Sequence, residues 1–186
     1  YLQGSDEGNA DDIAVGSVLE VVLDEDNQAV SVTVRNLNAG GGFGGSGEVT
    51  NGTSANTITE DTEVDSETYT STGDDENALR VDGATVTLKD ITIEKTAGSS
   101  SNTEDGDFYG LNAGLLVLNG ATATITGATV NTSVTNGNGV FSYGEGTVVN
   151  ISDSTIRTTE NNSGGIQTTG GGTMNATNLD VETQGN

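Results

Sequence analysis

Gly120-Ala-Thr-Ala-Thr-Ile-Thr-Gly-Ala-Thr-Val130 decides the fold, because the chain carries it in four versions. Gly83-Ala-Thr-Val-Thr-Leu-Lys-Asp-Ile-Thr-Ile93 precedes it. Gly146-Thr-Val-Val-Asn-Ile-Ser-Asp-Ser-Thr-Ile156 and Gly171-Gly-Thr-Met-Asn-Ala-Thr-Asn-Leu-Asp-Val181 follow. The leading glycines stand 37, 26 and 25 residues apart, a period that belongs to solenoids. Inside each copy apolar residues alternate with polar ones, as in a strand with one buried face. Val86 and Leu88, Ala123 and Ile125, Val149 and Ile151, and Met174 and Ala176 are the inward set. Asp90, Gly127, Asp153 and Asn178 come next, residue types that accept the left-handed backbone of a tight corner. A further strand then buries Ile91 and Ile93, Ala128 and Val130, Ser154 and Ile156, and Leu179 and Val181.

Each copy is preceded by a short apolar strand ending in a turn. The expected inward pairs there are Leu79 and Val81, Leu116 and Leu118, Phe141 and Tyr143, and Ile166 and Thr168. Three short strands in about 25 residues make one coil of a parallel β-helix. The predicted class is therefore all-β, a right-handed parallel β-helix with three short strands per coil. Coils stacked in register place Ile125 between Leu88 and Ile151, so the interior becomes a set of aliphatic ladders.

Composition agrees. Hydrophobic residues make up 31% of the 186, against about 45–50% in ordinary globular domains, a deficit suited to thin coils that expose alternate residues. With 28 acidic and five basic side chains the net charge is −23. Such a charge repels nucleic acid, whose binders need a basic footprint, and no apolar run approaches membrane-spanning length. Without Cys there are no disulfides or thiolate sites, and without His the commonest general base and metal ligand is missing.

Around the repeat the chain divides as follows. Residues 1–5, Tyr-Leu-Gln-Gly-Ser, resemble a protease-site tag remnant and are set aside. Residues 6–38 hold a β-hairpin, with Leu19, Val21 and Leu23 on one strand, Val30, Val32 and Val34 on the other, and polar turn material between. Residues 39–47 read as a Gly-rich linker. Residues 48–77, with Ile58, Val64 and Tyr69 as apolar points, read as an irregular N-terminal capping coil. Residues 78–186 are the regular β-helix coils, expected to run on beyond Asn186.

The repeats, with Asp107-Phe-Tyr-Gly110, Asn138-Gly-Val-Phe-Ser-Tyr-Gly144 and Ser163-Gly-Gly-Ile166, resemble the parallel β-helix domains of large secreted bacterial surface proteins. Such domains are often described as adhesin-like or carbohydrate-binding. The resemblance implies a secreted, cell-surface module that binds glycans or surface molecules, or serves as a stalk, without catalysis. A fragment of a polysaccharide lyase or glycoside hydrolase is the alternative, since those enzymes share the coil, and an ice-binding protein is a second one. The repeats specify a fold and leave the activity open.

Candidate site residues fall where the repeat is broken. The first regular unit is longer than the rest by an inserted loop, Thr96 to Tyr109. Glu104, Asp105 and Asp107 cluster in it and suit a hard cation such as calcium, which takes oxygen ligands; a solvated acidic loop is the plain reading. Phe108 and Tyr109 are placed to stack on a sugar ring. Asp74, Asp75 and Glu76 form a second acidic group. For polysaccharide cleavage the carboxylates are Glu145, Asp153, Glu160, Asp180 and Glu182, with Arg157 the nearest cation, yet no pair aligns on adjacent coils. For ice binding the outward positions are Thr85, Thr87, Thr122, Thr124, Asn150, Thr173 and Asn175, interrupted by Lys89 and Val148. Lys89 and Lys95 fall at positions expected to be solvated.

Overall fold

The computed structural model of the chain describes residues 2–3, 6–7, 17–23, 29–36 and 50–186. Two compact units divide it, Tyr1–Ser46 and Gly47–Asn186. In the first, β1 (Leu2–Gln3), β2 (Asp6–Glu7), β3 (Ser17–Leu23) and β4 (Ala29–Asn36) form one sheet ordered β2-β1-β4-β3. The expected hairpin is there: Leu19 faces Val34 and Val21 faces Val32, with an irregularity between Val22 and Leu23. Leu2–Gln3, set aside above as tag, pairs in parallel with Thr33–Val34 and so takes part in this sheet. The turn at 24–28 and the expected linker at 39–47 lie outside the described residues.

The second unit is a parallel β-solenoid with three strands per coil. Its opening coil is β5 (Thr53–Ser54), β6 (Thr57–Ile58), β7 (Thr62–Asp65) and β8 (Thr68–Ser71). The short β9 (Glu76–Asn77) pairs with β5, and β10 (Leu79–Asp82), β11 (Thr85–Lys89) and β12 (Thr92–Lys95) complete the next coil. After helix α1 (Thr103–Tyr109) come β13 (Leu115–Leu118), β14 (Thr122–Thr126) and β15 (Thr129–Thr132). Then follow β16 (Val140–Tyr143), β17 (Val148–Ser152) and β18 (Thr155–Thr158), and last β19 (Ile166–Thr169), β20 (Thr173–Thr177) and β21 (Asp180–Thr183). Like strands stack into three five-stranded parallel sheets.

The ladders predicted for the second and third strands hold residue for residue. Val64, Leu88, Ile125, Ile151 and Ala176 align in one row. Tyr69, Ile93, Val130, Ile156 and Val181 align in another. The corners behave as their residue types require, with positive φ at Asp90, Gly127, Asp153 and Asn178. Between residues 50 and 77 the described chain forms short strands. Ile58, Val64 and Tyr69 pack on the main core from strands in register with the coils that follow.

Two expectations about the strands of the coils fail. In the first sheet Leu79, Leu115, Val140 and Ile166 share one row, and Val81, Val117, Ser142 and Thr168 another. These are the inward rows, and Leu79, Leu115, Val117 and Val140 belong to the main core. Leu116, Leu118, Phe141 and Tyr143 therefore point out of the solenoid, one position away from the inward assignment made for them. A one-residue slip moves a strand's whole side-chain set to the opposite face. The slip leaves no mark in the sequence, because Leu115-Leu-Val-Leu118 is apolar throughout and shows no alternation.

Lys95 is the second correction. It is wholly buried rather than solvated. It occupies an inward row with Ser71, Thr132 and Thr158 where the third strand meets its corner. The hydroxyls of Thr132 and Thr158 each donate to a carbonyl five residues on, at Gly137 and Ser163, closing the corner. In the Lys95 coil the ammonium takes over, donating to the Gly73 carbonyl at 2.5 Å and to the Ser71 hydroxyl at 3.2 Å. Lys89 does lie in solvent, 3.4 Å from Asp65 across the coils.

Net charge bears on stability here. Self-repulsion in a chain of −23 opposes compaction and is screened by salt. Raising sodium chloride from about 10 mM to about 1 M, where the Debye length falls from about 30 Å to about 3 Å, is expected to raise Tm by several degrees. A flat or falling Tm in a thermal melt would show that the carboxylates do not strain the fold.

Candidate functional site

The insertion between β12 and β13 is where the repeat departs from itself, and it is not the loop expected from its composition. Thr103–Tyr109 forms α1. The Asn102 side chain caps its start, accepting from the N–H groups of Glu104 and Asp105 at 2.9 and 3.3 Å, the usual role of Asn at this position. Gly110 ends it in the left-handed conformation at φ 74°. A Cβ at Gly110 would also come 2.7 Å from Leu116 and 3.1 Å from the Phe141 ring. The capping signals are plain in the sequence once a helix is sought; the strand repeat on either side hid them.

Helix α1 explains the outward apolar row. Leu116, Leu118 and Phe141 join Ala113 in a second, smaller core outside the solenoid, with Tyr143 partly buried against it. Tyr109 meets Tyr143 edge to face, ring centroids 5.5 Å apart, a favoured arrangement. Polar contacts fasten the helix at several points. Asn136 and Asn138 donate to the carbonyls of Thr103 and Gly106. The carbonyls of Asp107, Phe108 and Tyr109 accept from Gln167, Thr169 and Asn51 respectively. Gly106 allows the close approach, since a Cβ there would stand 2.4 Å from the Asn136 side chain.

The sequence-predicted site residues now have places. Phe108 projects from the helix and is 48% exposed. Tyr109 is half-buried against Tyr143, so the two aromatics of the insertion do not form one flat platform. Glu104 is exposed, Asp105 is buried, and Asp107 accepts a hydrogen bond from Asn136 at 3.0 Å. Among the described residues no three His, Cys, Asp or Glu side chains gather where they could hold a metal ion, so the three carboxylates are not a joint ligand set. Burial pushes the carboxyl groups of both Asp105 and Asp107 up; Glu104 and Asp75 add to the shift at Asp105, while Asn136 opposes it at Asp107.

The second acidic group fastens the start of the insertion. Asp74 accepts from the N–H and hydroxyl of Ser99, and Asp75 accepts from the N–H of Ser101. Glu76 accepts from Ser71, the residue that also receives a bond from Lys95. Arg80, on the outer face of β10, donates to the carbonyls of Asn51, Gly52 and Thr53 and holds the opening coil in place. On the third sheet Arg157 lies 2.6 Å from Asp180 and 3.5 Å from Glu182. The outer rows of the second sheet are those read from the sequence, Thr85–Thr122–Val148–Thr173 and Thr87–Thr124–Asn150–Asn175. Asn175 spends its amide on Asn150.

Comparisons with protein-family models, with curated proteins and with solved structures returned no match for this chain.

Proposed function

We propose that this chain is a non-catalytic binding module of an extracellular, cell-surface protein, and that it takes glycans on the α1 face. The observation that carries the reading is Phe108. It is one of two large apolar side chains left exposed among the described residues, and it stands on a helix fastened at both ends. An exposed aromatic held rigid offers a stacking surface at little cost in side-chain entropy. The carbonyl of Phe108 is occupied by Thr169, so the ring is presented at a set height above β19.

A polysaccharide-cleaving reading is less well supported. Neutralising an acidic sugar needs a free cation, and Arg157 is engaged by two carboxylates. Ice binding is likewise disfavoured, because Val148 and the Asn150–Asn175 pair break the threonine rows. A glycan array tests the reading. The wild-type chain is expected to retain a set of glycans that Phe108→Ala loses at least tenfold, with unchanged Tm. Product release from acidic polysaccharides would overturn the proposal in favour of an enzyme, and binding indifferent to Phe108→Ala would remove the α1 face from it.

A further inference from the structure

Beneath α1 lie two amide oxygens without a hydrogen-bond donor. Asn112 and Asn136 are wholly buried, and Oδ1 of each has no partner. Turning either amide over does not cure this. Nδ2 of Asn112 donates to the carbonyls of Thr135 at 3.0 Å and Gly98 at 3.5 Å. Nδ2 of Asn136 donates to the carbonyl of Thr103 at 3.3 Å and the carboxylate of Asp107 at 3.0 Å. All four partners accept only, so both amides are fixed with their oxygens turned elsewhere. A buried polar atom left in this state calls for a bound water or ion.

Asp105 borders the same place. It is 8% exposed, and burial, with the like charges of Glu104 and Asp75, pushes its carboxyl up. Gly106, the next residue, lies against the Asn136 side chain. The N–H of Leu111, the residue before Asn112, donates to the Asp105 carbonyl at 3.2 Å. Asn112 in turn reaches Thr135, the neighbour of Asn136. The buried Asp105 and the two buried asparagines thus sit on segments that these contacts hold together between the helix and the solenoid.

We infer that Asp105, Asn112 and Asn136 hold a hard divalent cation, calcium, between α1 and the coil corners. Water would satisfy the amide oxygens, but it would leave the charge. Asp105 is buried and Asp107 accepts from Asn136, and among the described residues no Lys or Arg lies within ion-pair distance of either. Calcium answers both needs, since it takes six to eight oxygens in flexible geometry, from carboxylates, amide oxygens and water alike. Magnesium demands a tighter octahedron than three side chains on separate segments supply. Bound there, the ion clamps α1 onto its coil. The inference stands apart from the glycan reading, because it concerns how the helix is held rather than what Phe108 touches.

The test uses the full chain stripped of metal by chelation. Calcium is titrated up to about 10 mM, above the weak end of calcium sites at about 1 mM, against sodium chloride of matched ionic strength. Tm is followed, with terbium luminescence sensitised by Tyr109, four residues from Asp105, as the second readout. Calcium is expected to raise Tm beyond the sodium chloride control and to quench the terbium signal by displacement. Asp105→Asn is expected to abolish both responses while raising the metal-free Tm, because it removes a buried uncompensated charge without changing shape. Glu104→Gln, at an exposed position, is expected to keep both responses. A shift no larger than that of matched sodium chloride, or one that survives Asp105→Asn, overturns the inference.

Discussion

Replacing Phe141 by alanine is expected to lower the unfolding free energy by about 3–5 kcal/mol, the cost of emptying a packed aromatic site. The side chain faces away from the solenoid interior, where a solvent-facing residue would cost about 0.5 kcal/mol or less. It behaves as core because α1 covers it: Phe141 is wholly buried, in a cluster with Ala113, Leu116 and Leu118. Leu116→Ala is expected to cost about 2–5 kcal/mol for the same reason. Thr124→Ala, on the open outer face of β14, supplies the comparison. Urea titrations followed by circular dichroism would measure all three. If Phe141→Ala matched Thr124→Ala, the helix would not be seated on this face.

Lys95→Met is expected to cost about 2–3 kcal/mol. The substitution keeps most of the buried stem but removes two hydrogen bonds from a charged donor, each worth about 1.5–3 kcal/mol, and relief from burying the charge offsets part of the loss. The Gly73 carbonyl would be left facing an apolar group. A pH series separates the charge from the packing. Burial holds the Lys95 ammonium below its ordinary value of 10.5, against the pull of Glu76, Asp74 and Asp75. Because the folded value is the lower one, the unfolded chain binds the proton more tightly in between. Stability contributed by this group therefore rises as pH climbs through that window towards 10.5. The difference between wild type and Lys95→Met is expected to widen there, whereas the tyrosines, whose phenols are pushed up at Tyr69 and Tyr143, act alike in both chains. A difference independent of pH would show that the ammonium holds its proton equally well folded and unfolded, so that burial does not lower its value.

What could be read in advance follows a physical division. Where an outward residue meets water, alternation is clean, and Val86–Leu88 or Ala123–Ile125 names the inward side without help. Where an outward residue meets another part of the chain, alternation fails. Phe141 and Leu116 are as apolar as their inward neighbours because both faces of that sheet are covered, so the pattern carries no information about which is which. Lys95 misled for a related reason. A lysine at the end of a strand is ordinarily solvated, and its burial depends on the Gly73 carbonyl, brought alongside by the coil before. At the candidate site, Phe108, Asp105 and Asp107 were singled out because they interrupt the repeat. Asn112 and Asn136 were not, since nothing local distinguishes them from the corner asparagines, and their unpartnered oxygens arise only once α1 lies across them.

The sequence by itself determined the coil: its length, its three strands, its left-handed corners and the ladders of its second and third strands. Those features rest on contacts between a residue and its own copy one period later, so every repeat states them again. Only the tertiary structure decided the α1 face. That face joins residues far apart and out of period, such as Asn51 with Tyr109 and Gln167 with Asp107, and a contact made once leaves no periodic trace.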